Sequence, residues 1–190
     1  FGKDAIAEIE RCVSLGFCGI GELGPGANGY DFQSPQFLDV LECAVHYHLP
    51  VCIHCGEPVG HVYPGKDTTS LAPIPQLLKT YPNLKLILAH MGGGLPFYEM
   101  NPRYKELFQN VRYDTAANPL LYDIKSIKAV ISMVGSSRLL YGSDFPLLLY
   151  PSVKREMDFS LFIHDIKQNA NLTEQEWTQF MGKNLLDFIM

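Results

Sequence analysis

Four side chains of the types that bind divalent metal ions follow short apolar segments of this 190-residue chain: Glu22, His54, His90 and Asp144. Imidazole nitrogens and carboxylate oxygens are ligands that hold Zn²⁺, Mn²⁺ or Fe²⁺ in proteins. Such an ion lowers the pKa of a bound water to about 7, so that the water can attack a C–N or C–O bond. The residue types therefore predict a divalent metal centre, with zinc as the first expectation and manganese or iron as alternatives.

Two of these four residues are also the predicted catalytic residues. Asp144 is expected either to accept the proton of an attacking water or to bind the ion. His90, with an ordinary pKa of about 6.5, is suited to polarise a substrate carbonyl or to move a proton near neutral pH. Both hydrolysis and decarboxylation are compatible with these groups.

The segment after His54 is the candidate for substrate selection. Residues 57–66 carry both signs of charge and an aromatic side chain, and they begin next to the predicted metal centre. Glu57, His61 and Lys66 are therefore predicted to bind substrate, and Asn118, which follows the fourth predicted strand, is a further candidate. The alternative is that this segment is only a surface connection.

Short β-rich segments alternate with helical segments along the chain. The predicted strands span residues 17–22, 51–54, 84–89, 111–114 and 138–141. The predicted helices span residues 3–15, 35–49 (with Ser34 as its cap), 72–81, 95–108 and 124–134, and the chain from residue 153 onward is expected to be helical, with Thr173 and Glu176 in a capping box. This rhythm is typical of βα units on a parallel sheet, where the carboxyl ends of the strands form the ligand site.

The composition is that of a folded globular chain. Hydrophobic residues make up 47% and charged residues 18% of it, which excludes a disordered chain and a coiled coil. No apolar run approaches the ~20 residues of a membrane-spanning helix. The net charge of −5, without a basic run, argues against nucleic-acid binding. A soluble, cytoplasmic protein with a small-molecule substrate and no membrane partner is expected.

Cysteines and two further histidines receive structural interpretations. The five cysteines are odd in number and lie mostly in apolar segments, as expected of free thiols in a reducing compartment. Cys52 and Cys55 form a C-x-x-C pair, but a strand points such residues to opposite faces, and the chain has no second pair for a structural zinc site. Core packing is the interpretation, with redox or zinc chemistry as the alternative. His46 and His48 end a predicted helix and are interpreted as surface residues.

Several of these segments together resemble the amidohydrolase superfamily, in particular its amidohydrolase-related branch of TIM-barrel metal-dependent hydrolases and decarboxylases. The resemblance rests on Cys52-Ile53-His54, Leu88-Ala89-His90-Met91-Gly92-Gly93-Gly94, Leu140-Tyr141-Gly142-Ser143-Asp144-Phe145-Pro146 and Gly182-Lys183-Asn184-Leu185-Leu186. It implies that His54 and Asp144 bind metal. It implies for His90 either proton transfer, as in the one-metal decarboxylases, or metal binding, as in the two-metal branches. Glu22 lies at the position of the family's strand four, where it would be either a ligand that bridges two ions or a group that supports the site. The resemblance therefore allows a centre of one ion or of two.

The fold implied by this resemblance is an α/β fold of the (β/α)8 TIM-barrel type. The chain would supply about five βα units, strands four to eight, as a single partial domain over residues 1–190. The H-x-H pair of the family's first strand is missing, because His46-Tyr47-His48 has the spacing but lies on a helix. A closed barrel takes about 250 residues. We therefore expect a C-terminal portion of a longer protein, completed by its N-terminal segment, or a half-barrel completed in a homo-oligomer.

A metal-dependent hydrolase or decarboxylase acting on a small carboxylated molecule is the leading functional hypothesis. The second is a TatD-like deoxyribonuclease, because Gly21-Glu22-Leu23-Gly24 matches that family's strand-four motif. Residues 142–146 depart from the E-T-D-x-P ending of that family, which weighs against it. The third is a truncated, non-catalytic binding or assembly module, and a doubly wound α/β domain is the alternative fold.

Overall fold

The structure, a computed structural model, describes residues 2–60, 62–63 and 66–190. A sheet of five parallel strands runs through it: β1 (Ile20–Leu23), β2 (Val51–Ile53), β3 (Leu86–Leu88), β4 (Val111–Asp114) and β5 (Leu139–Leu140). The strands are hydrogen-bonded in the order in which they occur in the chain. A doubly wound sheet requires a reversal of that order, so this topology favours a barrel segment.

Helices connect the strands and follow the last one. They are α1 (Lys3–Ser14), α2 (Pro35–His46), α3 (Ile74–Thr80), α4 (Leu95–Tyr98), α5 (Pro102–Lys105), α6 (Asn118–Leu121), α7 (Ser126–Val134), α8 (Ser160–Asn169), α9 (Glu174–Thr178) and α10 (Asn184–Ile189). Irregular helical turns occupy His90–Gly94, Ser136–Arg138 and Gln179–Lys183. The predicted alternation of strands and helices is confirmed, with most strands shorter than predicted. Across the described part of the chain, no helix is long and apolar enough to cross a bilayer.

One local prediction about helices was wrong and two are confirmed, one of them only for the position of the cap. The predicted helix 95–108 is divided into α4 and α5, because Pro102 disfavours helical geometry in the residue before it. Asn101 instead caps α5, since its side chain accepts a hydrogen bond from the backbone N–H of Arg103. Ser34 is the N-cap residue of α2, as predicted, but its side chain makes no capping hydrogen bond. Thr173 does cap α9, in the predicted capping box with Glu176.

The hydrophobic core lies between one face of the sheet and the surrounding helices. Val51, Ile53, Leu86, Leu88 and Val111 are fully buried and belong to one hydrophobic cluster with side chains of α2, α3 and α7. Burying each such side chain stabilises the fold by roughly 1.5–3 kcal/mol relative to leaving it exposed. The residues that alternate with them along the strands are only partly buried. The helix-covered face therefore holds the sheet together and aligns the strand ends.

Candidate active site

The first candidate ligand, Glu22, comes from β1, which approaches β2 closely. A Cβ atom at Gly21 would lie 2.6 Å from the Cβ of Cys52, so only a glycine allows the two backbones to come this near. At the end of the pair, the backbone N–H of His54 donates to the carbonyl of Leu23 at 2.9 Å. This pairing brings Glu22 and His54 to the same edge of the sheet although they are 32 residues apart.

Three of the four predicted ligands converge at this edge. Glu22 Oε1 lies 3.0 Å from His54 Nδ1 and 3.3 Å from His90 Nε2, and the two histidine nitrogens are 3.0 Å apart. His90 is buried, whereas the other two side chains are partly exposed. Among the described residues, these three form the group whose donor atoms all lie within 4.8 Å of one another.

The backbone and ring of His90 are both held by residues at the end of β4. The backbone N–H of His90 donates to Asp114 Oδ1 at 3.0 Å, and its ring Nδ1 lies 3.0 Å from the carbonyl oxygen of Ala116. A carbonyl can only accept, so Nδ1 carries the proton and Nε2 is the nitrogen that faces Glu22. This role of Asp114 was not predicted from the sequence. Its place at a strand end next to the His90 strand was the signal available.

Burial and hydrogen bonding shift the pKa values of this group in different directions. Burial opposes ionisation of Glu22, but hydrogen bonds with His54 and His90 outweigh it and lower the pKa of Glu22 to about 2. Burial likewise disfavours the charged form of His90, yet its contacts with Glu22 and the Ala116 carbonyl raise its pKa to about 9. Burial raises the pKa of Asp114 to about 6. Without an ion, the group therefore favours a carboxylate paired with an imidazolium.

The donor separations fit a divalent ion. Ligand atoms about 2.1 Å from a common ion, at angles near 90–105°, lie about 3.0–3.3 Å from one another. The three measured separations, 3.0, 3.0 and 3.3 Å, fall in this range. One carboxylate and two imidazoles are a donor set that suits zinc, manganese or iron.

Asp144, the fourth predicted ligand, lies outside this group of three. It follows β5 with a left-handed φ of 60°, and its carbonyl accepts the backbone N–H of Leu147. Burial, with the negative charges of Asp114, Glu22 and Asp144, raises the pKa of the Cys52 thiol. The charges of Asp144 and Glu22 therefore both affect Cys52 on β2. The role of Asp144 as a metal ligand stays a prediction.

The cysteine pair shows the properties of packed thiols. Burial is the first cause that raises the pKa of both Cys52 and Cys55. Both are free thiols, and Cys55 donates to the carbonyl of Ile53 at 3.4 Å. A redox-active C-x-x-C motif requires a lowered thiol pKa, so the structure favours core packing.

The predicted substrate-binding residues are divided between two places. Glu57 and Lys66 form an ion pair of 3.5 Å whose side chains are 13% and 9% exposed. Both line a cavity of about 600 Å³ together with Leu71, Leu95, Tyr98, Tyr104 and Phe108, and none of the four predicted metal ligands is among its lining residues. Asn118 is buried at the start of α6, where its Oδ1 accepts from Ser126 at 3.1 Å, and it does not line this cavity. His61 lies outside the described residues.

Gly93 lies where the segments after His54 and His90 touch. Its φ is +57°, and a Cβ there would lie 2.6 Å from the carbonyl oxygen of Gly56 and 2.8 Å from Leu71 Cδ1. The replacement Gly93→Ala is therefore expected to lower the free energy of unfolding by about 1–2 kcal/mol for the left-handed conformation and by about 1–3 kcal/mol more for the contact. The urea dependence of unfolding measures the sum of the two losses.

The adjacent Gly94 provides the matched control for this prediction. Its φ is +93°, but nothing lies within 4 Å of a Cβ at this position. Gly94→Ala should therefore show only the conformational cost. Equal losses in the two variants would contradict the contact between the two loops.

Comparison with known proteins identifies the family of this chain and agrees with its fold. The Amidohydrolase family model matches residues 1–184, and the chain belongs to this family. It is 26% identical over 223 residues to the 2-amino-3-carboxymuconate-6-semialdehyde decarboxylase of Dictyostelium discoideum, a match that covers 98% of this chain and 57% of that protein. The chain thus spans little more than half the length of this relative.

Two solved structures show the same fold. A TIM-barrel protein of Bordetella bronchiseptica matches with a TM-score of 0.68 and 16% identity, over 98% of this chain and 62% of that one. The manganese-bound 5-carboxyvanillate decarboxylase of Novosphingobium aromaticivorans matches with a TM-score of 0.72 and 16% identity, over 97% of this chain and 61% of that one. The five strands are therefore a TIM-barrel segment, as the sequence predicted.

Proposed function

We propose that the protein containing this chain is a metal-dependent carboxy-lyase that removes a carboxylate from a small unsaturated or aromatic acid. The observation that carries the proposal is the convergence of Glu22 and His54, at a separation that suits two ligands of one divalent ion, with His90 Nε2 within 3.3 Å of both. The names of the Dictyostelium relative and of the Novosphingobium structure, both decarboxylases of carboxylated molecules, support decarboxylation over the hydrolysis that the sequence left equally open.

Glu22 and His54 would hold the ion, and Asp144 is the third ligand of the proposal. Zinc remains the first expectation for this donor set, and manganese, which the Novosphingobium structure contains, is the alternative to test against it. When bound, the ion supplies positive charge that stabilises negative charge developing on the substrate. The low pKa of Glu22 keeps its carboxylate ionised and ready to bind a cation.

His90 would deliver the proton that decarboxylation requires. When the bond between the carboxylate and the carbon skeleton breaks, carbon dioxide leaves and the electron pair stays on the carbon, which then takes up a proton. The Nδ1–H of His90 is engaged by the Ala116 carbonyl, so Nε2 is the nitrogen that can hold and pass on this proton. Because Asp114 also fixes the backbone of His90, the ring keeps its position during the transfer.

Substrate binding is proposed for Glu57, His61, Lys66 and Asn118. The Lys66 ammonium is nine-tenths buried at the wall of the 600 Å³ cavity, where a substrate carboxylate would take the place of its present partner, the Glu57 carboxylate. Aromatic side chains of the same wall, Tyr98, Tyr104 and Phe108, suit the flat skeleton of an unsaturated acid.

Removing and returning the metal tests the proposed function. The protein at its full natural length is stripped with a chelator and reconstituted with zinc, manganese or iron(II), one ion at a time. We expect the stripped protein to release no carbon dioxide from a panel of hydroxybenzoic and carboxymuconic acids. The reconstituted protein should bind metal stoichiometrically and should release carbon dioxide from at least one of these acids. Release that is indifferent to the chelator would contradict the proposal. Parallel assays on esters, amides and single-stranded DNA would detect a hydrolase or a nuclease instead.

A further inference from the structure

A turn at the end of β4 lies between the two segments that carry His90 and Asp144. Asp114, the last residue of β4, begins it, Thr115 and Ala116 follow, and Thr115 is fully buried. On one side, Asp114 and Ala116 hold the backbone and ring of His90. On the other side, the Thr115 hydroxyl faces the chain that leaves β5. The turn is therefore in contact with both proposed functional segments at once.

The Thr115 hydroxyl satisfies both backbone groups of Gly142. Its Oγ1 donates to the Gly142 carbonyl at 3.0 Å and accepts from the Gly142 N–H at 3.1 Å. A Cβ on Gly142 would lie 3.3 Å from the Ala116 nitrogen, so the two segments are in close contact. Asp144 follows only two residues after Gly142.

The strand pairing between β4 and β5 ends before Gly142, so it does not hold this part of the chain. β5 consists of Leu139 and Leu140, and its register with β4 ends at the pair Asp114 and Leu140. The next backbone N–H, that of Tyr141, donates to the carbonyl of Phe180 and so turns away from β4. The side chain of Thr115 takes the place of the missing ladder at the point where the chain leaves the sheet.

We propose that Thr115 is a positioning residue, whose hydroxyl fixes the segment bearing Asp144 at a set distance from His90. The proposal rests on the proposed function, because it assigns Asp144 and His90 to one site. Both residues have left-handed φ values, 60° and 56°, which a non-glycine residue keeps only where its surroundings hold it. The two hydrogen bonds to Gly142 and those to His90 are such restraints.

Two substitutions at this position separate the hydroxyl from the shape of the side chain. Thr115→Val keeps the β-branched shape but leaves the Gly142 N–H and carbonyl without the hydroxyl, whereas Thr115→Ser keeps the hydroxyl. In the full-length protein, we expect the Gly142 amide to exchange with deuterium much faster in the valine variant than in the wild type or the serine variant. This measurement requires neither metal nor substrate.

The functional consequence is measured on the same variants. Loss of a group that only orients a ligand lowers metal affinity by about 10–100-fold. We expect such a loss for manganese or zinc in the valine variant by calorimetry, a lowered kcat with little change in KM, and values near the wild type for serine. All measurements are made well below the unfolding temperature of each variant, so that the folded protein is compared.

Each outcome decides the proposal. An unchanged Gly142 exchange rate in the valine variant overturns it, and so does faster exchange with wild-type metal affinity and kcat, since Thr115 would then only stabilise the fold. A wild-type protein that binds no metal overturns the proposed function and, with it, this inference. A wild type that binds metal while the valine variant binds it equally well overturns the positioning role alone.

Discussion

Replacing His54 by Asn is expected to abolish turnover by removing the metal. Its Nδ1 is one of the three donor atoms and lies 3.0 Å from both Glu22 Oε1 and His90 Nε2. Loss of a group that only orients a ligand costs about 10–100-fold in metal affinity. Loss of the ligand itself should therefore cost about 100-fold or more, measured by titrating manganese or zinc into the stripped full-length protein.

The control for this variant is another histidine of the same chain. His48 lies just after α2, is exposed, and has a φ of 56°, a conformation that asparagine accepts well. His48→Asn should leave metal affinity and turnover unchanged. Metal affinity that survives His54→Asn would remove this residue from the site.

The companion variant His90→Asn distinguishes the two roles that the sequence allowed for His90. If Nε2 passes a proton to the substrate, kcat should fall by about 100–10,000-fold while metal affinity stays near that of the wild type. A loss of metal affinity equal to that of His54→Asn would instead make His90 a ligand. We expect the first result, in line with the decarboxylase branch that the chain resembles.

Replacing Glu99 by Ala is expected to produce the largest loss of stability. Glu99 is 5% exposed, and its carboxylate accepts two hydrogen bonds from Arg138, at 2.5 and 2.7 Å, and one from the Tyr113 hydroxyl at 2.5 Å. Removing one member of a buried ion pair leaves the other charge buried without compensation, which costs about 3–5 kcal/mol. Chemical unfolding monitored by circular dichroism measures this loss.

This network also links the site segments. Glu99 comes directly after α4, the short helix that follows the turn His90–Gly94. Tyr113 lies on β4, and Arg138 directly precedes β5. We therefore expect Glu99→Ala to loosen the strand ends that carry the proposed active site. The double variant Glu99→Leu with Arg138→Met should recover much of the stability, because no buried charge remains.

An exposed ion pair of similar geometry provides the comparison. Arg11 and Glu8 on α1 are joined by two hydrogen bonds of 2.7 Å, but their side chains are 58% and 59% exposed. Glu8→Ala should barely change the unfolding midpoint, because solvent screens such pairs. An equally small change in the unfolding midpoint for Glu99→Ala would mean that the hydrogen bonds of Glu99 with Arg138 and Tyr113 do not stabilise the fold.

Much of the fold could be predicted from local pattern. Apolar runs of strand length alternate with segments of helical spacing, and this signal lies within 10–15 neighbouring residues. The strand and helix order, the parallel sheet and the capping box of Thr173 were therefore predicted correctly. The prediction of one helix over residues 95–108 was wrong because the apolar spacing continues through Asn101-Pro102, where backbone sterics prevent a continuous helix.

By itself, the sequence determined which residue types stand at the strand ends and which family they resemble, because both are properties of short contiguous segments. Only the tertiary structure decided that Glu22, His54 and His90 meet within 3.3 Å while Asp144 lies outside their group. It also decided that Asp114 and Thr115 tie His90 to the Asp144 segment. These contacts join residues that are at least 24 positions apart in the sequence. Their distances depend on strand order, register and the path of the chain beyond each strand, which packing of the whole sheet sets.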